Sequence, residues 1–180
     1  GLKEVAEYWH QVVLMNDYQK SCFSKKIVSR MFNTVTGKRI ALFGFAFKKD
    51  TGDTRETPAA FVAKDLLDER AQLTVWDPKV QRDQMFIELD YTCHVNNDTV
   101  PGLNDLVQTA TDPYEAATDA HAIAILTEWD EFKTYDYERI YSVMAKPAFI
   151  FDGRNLLDHA RLREIGFDVY AIGKPAPDVY

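Results

Sequence analysis

Cysteine is scarce in this 180-residue sequence, and the two cysteines present form no recognisable pattern. Cys22 and Cys93 stand too far apart for a spaced metal site and are too few for a disulfide framework. Reduced thiols of this kind are typical of a cytosolic protein, so a cytoplasmic location is expected. Long apolar runs are also missing, since none approaches the roughly 20 residues of a membrane span, and no signal-peptide pattern occurs. The sequence predicts a protein without a membrane segment or a metal site.

Positive charge is in deficit. Against 28 Asp and Glu there are 21 Lys and Arg, and the formal net charge is −7. This balance argues against general binding to nucleic acid or to an anionic membrane surface. An anionic ligand fits only where basic residues are locally concentrated. Otherwise the composition, 46% hydrophobic and 27% charged, is ordinary for a globular domain with a full core.

The glycine-rich turn of dinucleotide-binding proteins is absent as well. The segment GFAFKKDTGDTRETPA, residues 44–59, lies between an apolar run typical of a strand and a helical pattern. A phosphate-binding turn at this place has the pattern G-x-G-x-x-G, whereas here Gly44 is followed by no glycine until Gly52. Cations occupy the loop instead: Lys48, Lys49 and Arg55.

The chain divides into two regions of different pattern. Residues 2–32 carry apolar side chains at three- and four-residue spacing, which predicts one long helix or a pair. From residue 37 onward, apolar runs alternate with helical patterns, which predicts a doubly wound, mainly parallel, six-stranded Rossmann-like α/β sheet. We therefore expect a boundary between 1–36 and 37–180. Because the chain begins inside a helical pattern without Met, we expect it to be a piece of a longer protein.

Local signals place the elements of the second region. The first strand is predicted over residues 39–46, and a short helix over 80–89. Thr57, followed by Pro58, and Asp112 are predicted as helix N-caps, and Gly166 as a helix stop. Residues 173–180 are typical of the start of a tail.

Ligands of doubly wound sheets bind beyond the carboxyl ends of the strands. In a 3-2-1-4-5 strand order, the ends of strands one, four and five are neighbours, and Lys48, Arg55 and Arg154 would flank one crevice. Cations around a crevice suit a diphosphate, since Arg forks to two oxygens and Lys supplies a point charge. Phe47 could lie against a flat base or sugar face.

Other interpretations of the same residues stay open. Arg55 and the lysines stand among acidic residues, so the loop could be an exposed, internally paired charge cluster. Asp77, in VWDP, could read a ribose, although a turn-forming role fits its spacing better. Thr127 and Glu128 are placed to cap a following helix. Cys22, in KSCFSKK, falls within helical spacing and has no partner for nucleophilic catalysis.

Five blocks together resemble a known family. EVAEYWHQVVLMNDYQ, NTVTGKRIALFGFAFKKDTGDTRETPA, VWDPKV, DPYEAATDAHAIAILTEWDEF and PAFIFDGRNLLD are similar, in this order, to the C-terminal part of the UDP-glucose/GDP-mannose dehydrogenases. The unbroken FKKDTGDTRE favours the members that act on UDP-glucose. The resemblance implies an NAD-dependent oxidation of the sugar alcohol to the carboxylate, in an enzyme whose N-terminal domain binds NAD and whose central helical domain dimerises.

The resemblance also implies roles for individual residues. Phe47 and Lys48 match positions that contact UDP-glucose, and Arg154, in FDGR, matches a substrate-binding arginine. Arg55 matches a position that reaches NAD across the domain cleft. Residues 1–36 would end the central dimerisation region, and 37–180 would form the UDP-sugar-binding domain of a homo-oligomer.

One departure from the family pattern concerns catalysis. The family nucleophile lies in a GFGGSCF-type loop, and neither that loop, the catalytic lysine nor the NAD fingerprint occurs in this sequence. We therefore expect this chain alone to be inactive, with no catalytic residue of its own. The alternatives are a non-catalytic sugar-nucleotide-binding or scaffold domain, or the same part of another UDP-sugar dehydrogenase.

Overall fold

The computed structural model describes residues 1–94 and 103–174, and it confirms the predicted α/β architecture. The strands are β1 (Arg39–Phe43), β2 (Gln72–Trp76), β3 (Val107–Thr109), β4 (Ala122–Ile125), β5 (Phe149–Asp152) and β6 (Asp168–Ala171). The helices are α1 (Lys3–Arg30), α2 (Pro58–Asp68), α3 (Arg82–His94), α4 (Leu103–Leu106), α5 (Pro113–Ala117), α6 (Tyr137–Val143) and α7 (His159–Ile165), with a 3-10 helix at Asp130–Thr134. The predicted tail lies mostly outside the described residues.

All six strands are parallel and lie in the order β3-β2-β1-β4-β5-β6. The central strands are buried almost throughout, because a parallel sheet covered on both faces needs apolar side chains in every direction. The predicted order of the first five strands is confirmed, and β6 lies outside β5. The order reverses between β1 and β4, which makes this pair the switch point of the sheet.

Helices cover the sheet in two layers. Right-handed crossovers place α2 and α3 on one face, because β1, β2 and β3 progress in one direction across the sheet. The chain then returns past β1 to β4, so α5, α6 and α7 lie on the opposite face. The contacts agree, since α2 packs against α1 and α3, whereas α6 packs against α5 and α7.

The predicted helix ends are confirmed. The Thr57 side chain accepts a hydrogen bond from the amide of Ala59, with Pro58 as the first helical residue of α2. Asp112 caps α5 in the same way, and α7 ends at Gly166, whose φ is +121°. Each cap satisfies an amide or carbonyl that the helix itself leaves without a partner.

Several predicted boundaries were wrong. β1 ends at Phe43 rather than at residue 46, because Gly44 takes a positive φ of +91° that leaves the extended conformation. Phe45 and Ala46 are apolar because the loop itself is buried, not because the strand continues. The helix predicted over 80–89 extends from Arg82 to His94.

Helix α1 is a single helix of 28 residues, and only its C-terminal part packs on the domain. Ile27 is buried, whereas large apolar side chains of the first half are exposed: Leu2, Val5, Tyr8, Trp9, Val12, Val13, Leu14, Met15 and Tyr18. Charged residues interrupt this stretch, and within residues 1–94 and 103–174 no helix is long and apolar enough to cross a membrane.

Candidate functional site at the carboxyl edge of the sheet

The loop between β1 and α2 opens at the switch point, where a doubly wound sheet binds its ligand. It spans residues 44–57 and is much longer than the tight turn of a dinucleotide-binding fold. The loops after β4 and β5 lie on the same edge of the sheet, so the structure brings together three of the segments that the sequence singled out.

The N-terminus of α2 is closed to a phosphate. Pro58 has no amide hydrogen, the amide of Ala59 donates to the Thr57 side chain, and the amide of Ala60 donates to the Thr57 carbonyl. Thr57, Ala59 and Ala60 are fully buried. The backbone amides that hold a pyrophosphate in a dinucleotide fold are therefore already used here.

The first residues of the loop are fixed against the segment after β4. The position that a Cβ of Gly44 would occupy lies 2.5 Å from the Cβ of Thr127, so only glycine allows this approach. The Thr127 hydroxyl donates to the Ala46 carbonyl at 2.7 Å. The predicted capping role of Thr127 was wrong, because the following 3-10 helix has Trp129 as its N-cap and no side-chain cap.

Asp77, directly after β2, holds the same part of the loop from the other side. Its Oδ2 accepts from the amides of Phe45 and Ala46, at 2.7 and 3.0 Å. Its Oδ1 accepts from the amides of Lys79 and Val80, both at 2.9 Å. The predicted turn-forming role is confirmed. Since both oxygens already have partners and the residue is buried, a ribose-reading role does not fit.

The far end of the loop is anchored to α3. Thr54, which is buried, accepts a hydrogen bond from the Gln84 amide group, and the backbone amide of Glu56 donates to the buried Glu88. The amide of Phe47 donates to the carbonyl of Asp53 across the loop. The loop therefore has a defined shape, with a projecting tip.

Phe47 and Lys48 form that projecting tip. Phe47 is 47% exposed although Phe45 is fully buried, and Lys48 is exposed. Among the described residues, Lys48 has no hydrogen bond or ion pair, although its charge contributes to the low pKa of Asp53. An exposed aromatic ring beside an unpaired ammonium group can take a ligand that has both a flat face and negative charge.

Lys49, unlike Lys48, has a partner within the part of the protein that the structure describes. Its ammonium group lies 2.8 Å from Asp130, which also pairs with Lys133. The two lysines, Lys133 first, lower the pKa of Asp130 to about 2. The Lys49–Asp130 pair joins the loop after β1 to the segment after β4, across the switch point.

Arg55 is held within its own loop. Its Nε and Nη2 donate to the two oxygens of Asp53, at 2.9 and 2.7 Å. The guanidinium lowers the pKa of Asp53 to about 2. For this residue the structure agrees with the alternative of an internal charge pair, although 83% of the Arg55 side chain remains exposed.

Arg154 follows β5 and turns back toward β4. Its Nε donates to the carbonyl of Leu126 at 2.7 Å and lies 3.3 Å from a carboxylate oxygen of Glu128. Its two terminal nitrogens donate no hydrogen bond to any residue of the described ranges. Gly153 makes this turn possible, because a Cβ there would lie 2.8 Å from the carbonyl of Ile125.

Sequence reasoning missed the buried contact between Asp152 and His159 that supports the turn at Arg154. Asp152 is fully buried, and its Oδ1 accepts from the amide of Arg154. Its Oδ2 accepts from the amides of Leu156 and Leu157 and from Nε2 of His159, which is also buried. The sequence signal for this contact was an aspartate and a histidine seven residues apart. Only the fold of the loop between them brings the two side chains together.

The two cysteines lie on helices and not in a reactive loop. Cys22 lies on helix α1, as predicted, and is half-buried there. Cys93 is buried on α3, where desolvation raises the pKa of its thiol. Within the described part of the chain, no group of three His, Cys, Asp or Glu side chains could hold a metal ion.

Comparison with solved structures shows the same fold. The chain is similar to an NDP-N-acetyl-D-galactosaminuronic acid dehydrogenase from Methanosarcina mazei Go1, with a TM-score of 0.67 and 24% identity over 89% of this chain and 30% of that one. It is also similar to a UDP-glucose dehydrogenase from Pyrobaculum islandicum, with a TM-score of 0.59 and 24% identity over 84% of this chain and 29% of that one.

Sequence comparison gives higher identity. The chain is 56% identical to UDP-glucose 6-dehydrogenase 3 of Oryza sativa subsp. japonica, over 97% of this chain and 38% of that protein. It is 54% identical to UDP-glucose 6-dehydrogenase 2 of Arabidopsis thaliana, over 99% of this chain and 38% of that protein. The chain thus spans little more than a third of the length of these relatives, and it matches their C-terminal part.

A family model describes the region around the site. The UDP binding domain of the UDP-glucose/GDP-mannose dehydrogenase family matches residues 41–159, from β1 to the start of α7. This span contains the three loops of the carboxyl edge. The chain therefore belongs to the UDP-glucose/GDP-mannose dehydrogenase family, of which it contains the UDP binding domain.

Proposed function

We propose that this chain is the substrate-binding part of a UDP-glucose 6-dehydrogenase, which oxidises UDP-glucose to UDP-glucuronate with two molecules of NAD. The names of the relatives at 56% and 54% identity support this activity. Because the chain spans 38% of their length, the activity belongs to the longer enzyme, and this chain contributes one side of its active-site cleft.

The observation that carries the proposal is the arrangement of unpaired donors at the switch point. Lys48 has no protein partner in the described ranges, and the terminal nitrogens of Arg154 donate no hydrogen bond there, while Leu126 and Glu128 hold the Nε end of Arg154. Two cations with free donors at one sheet edge suit the diphosphate of a UDP-sugar. Phe47 would lie against the flat uracil or sugar face.

The cofactor would lie largely on another domain. The amides at the start of α2 are used by Thr57, so the usual pyrophosphate site of a Rossmann fold is closed in this chain. Arg55 is the residue that this chain would offer to NAD, because most of its side chain is exposed and its charge is oriented by Asp53. When bound, NAD supplies the hydride acceptor.

The two regions of the chain have separate roles in this proposal. Residues 1–36 end the central helical region that pairs subunits, which accounts for the exposed apolar side chains on the first half of α1. Residues 37–180 form the UDP-sugar-binding domain. The partners are thus UDP-glucose, the remaining domains of the enzyme and a second copy of the subunit.

Calorimetric titration of this chain and its variants with UDP-glucose tests the proposal. We expect Lys48→Ala and Arg154→Ala each to weaken binding by about 1.5–3 kcal/mol, because each removes a charge-assisted hydrogen bond to a phosphate. Arg161→Ala is the matched control for arginine, since Arg161 pairs with Glu138 on the α6–α7 surface. Lys3→Ala, on the first turn of α1, is the matched control for lysine.

Both outcomes of this titration are informative. Weaker binding in the two site variants, with unchanged binding in both controls, supports a diphosphate site between Lys48 at the tip of the loop and Arg154 after β5. Equal binding by all four variants would contradict it and would leave the basic loop as a solvated charge cluster.

A further inference from the structure

Asp77 joins three separate segments of the carboxyl edge. Besides the amides of Phe45 and Ala46 after β1, and those of Lys79 and Val80 after β2, its carboxylate accepts a hydrogen bond from the indole of Trp129 after β4, at 3.0 Å. Five N–H donors thus converge on one side chain that is 5% exposed. A single buried carboxylate therefore sets the relative positions of three loops.

We propose that Asp77 is a positioning residue for UDP-sugar binding, an inference that rests on the function proposed above. Phe45 and Ala46 directly precede Phe47 and Lys48, so a carboxylate that fixes their amides also fixes where the tip of the loop projects. Asp77 itself does not contact the substrate. It acts through the backbone of the loop.

Trp129 extends this control across the switch point. Its indole is buried against the domain, and the Lys79 ammonium lies 5.6 Å from its ring centre. The segment that begins with Leu126, whose carbonyl orients Arg154, leads directly into Trp129. Asp77 bonds both to the loop after β1 and to Trp129, and it thereby sets the distance between the Lys48 side of the crevice and the Arg154 side. That distance must match the diphosphate.

The chemistry of the five donors requires a carboxylate and not an amide. An ionised carboxylate is an acceptor at both oxygens, whereas an asparagine turns one of them into a donor. In Asp77→Asn the new NH2 group would face either the amides of Phe45 and Ala46 together with the indole of Trp129, or the amides of Lys79 and Val80, and the donors that it faces would have to move away. Hydrogen bonds to an ionised acceptor are also the stronger ones, so the native residue holds the loops more firmly.

The experiment measures UDP-glucose and NAD kinetics in the dehydrogenase that contains this chain. We expect Asp77→Asn to raise the KM for UDP-glucose about tenfold, equivalent to about 1.4 kcal/mol, with the KM for NAD unchanged. Lys48→Ala and Arg154→Ala are assayed beside it. Asp119→Asn is the matched control, because Asp119 forms an exposed ion pair with Arg39 at the opposite edge of the sheet.

A milder pair of variants decides the question if Asp77→Asn does not fold. Trp129→Phe removes one donor to Asp77 and keeps an aromatic ring, and we expect it to raise the KM for UDP-glucose severalfold. Trp76→Phe is its matched control, since the indole of Trp76 donates instead to the hydroxyl of Tyr135.

The outcomes separate this inference from the proposed function. If Lys48→Ala and Arg154→Ala raise the KM for UDP-glucose while Asp77→Asn and Trp129→Phe do not, the positioning role is wrong and the substrate site stands. Equal increases in the KM for UDP-glucose and for NAD would also overturn it, because they would indicate a general loss of structure. If Lys48→Ala and Arg154→Ala have no effect, the proposed function itself fails.

Discussion

Two glycines let the backbones of neighbouring loops meet at the carboxyl edge. Gly44 adopts a φ of +91° and lies against Thr127, whereas Gly153 lies against the carbonyl of Ile125 and the ring of Phe23. Both glycines face protein atoms, whereas the glycines of a dinucleotide-binding turn let the backbone approach the pyrophosphate. Their role is to bring the loops that carry Lys48 and Arg154 close together.

Substitution of Gly44 tests this role at the scale of a single residue. We expect Gly44→Ala to lower the free energy of unfolding by about 2–4 kcal/mol, because the new Cβ adds both a steric clash and a strained positive φ. Denaturant unfolding of the variant measures this loss.

Gly37→Ala is the control for Gly44→Ala. Gly37 has a φ of +70° but has no atom within 4 Å of the position of a Cβ. In Gly37→Ala, therefore, only the strain of the positive φ lowers the free energy of unfolding. Equal losses of stability in the two variants would show that the approach to Thr127 is unimportant.

Individual residues of the site were predictable to different degrees. Asp77 as a turn residue and the exposed Lys48 follow from local sequence, because a turn and a surface cation depend on few neighbours. The contact of Asp152 with His159 and the hydrogen bond of Thr127 to Ala46 depend on loops that only the folded sheet brings together. The sequence shows such residues but not their partners.

At the scale of elements, helix α1 differs most from the rest of the molecule. Its C-terminal half packs on α2 and buries Ile27, but its N-terminal half leaves Val5, Trp9, Val12 and Val13 about half exposed or more. Apolar side chains in such a group mark a surface that a partner covers. We propose that a second copy of the chain covers it.

A charged double variant on α1 tests this assembly. We expect Trp9→Glu combined with Val13→Glu to lower the sedimentation coefficient to that of a monomer, because two carboxylates cannot be buried in an apolar interface. His10→Glu with Gln11→Glu, which adds the same two acidic groups at polar positions, should leave the assembly intact. A monomer in the unmutated chain would contradict the proposal.

For the molecule as a whole, the sheet order was predictable because few topologies satisfy a right-handed crossover. Alternating strands and helices, with buried central strands, leave the doubly wound arrangement as the simplest solution. The lengths of β1 and α3 were not predictable in the same way, since a buried loop has the same apolar composition as a strand.

A further prediction concerns catalysis by the chain as a whole. We expect the 180-residue chain, supplied with UDP-glucose and NAD, to form no NADH at a steady rate, because its two cysteines lie on α1 and α3 and its sequence has no NAD-binding fingerprint. NADH absorbance measures this, with a full-length UDP-glucose 6-dehydrogenase as the positive control. Sustained NADH formation by the chain alone would refute the interpretation of an incomplete enzyme.

The closed N-terminus of α2 has a consequence for how this domain can change over evolution. Where backbone amides hold a phosphate, the donors belong to the main chain, and most single side-chain substitutions leave them in place. Here Thr57 and its neighbours use those amides internally, and the donors that we propose for the ligand, on Lys48 and Arg154, belong to side chains on two separate loops. A point mutation at such a position can retune affinity or sugar preference while leaving the scaffold intact.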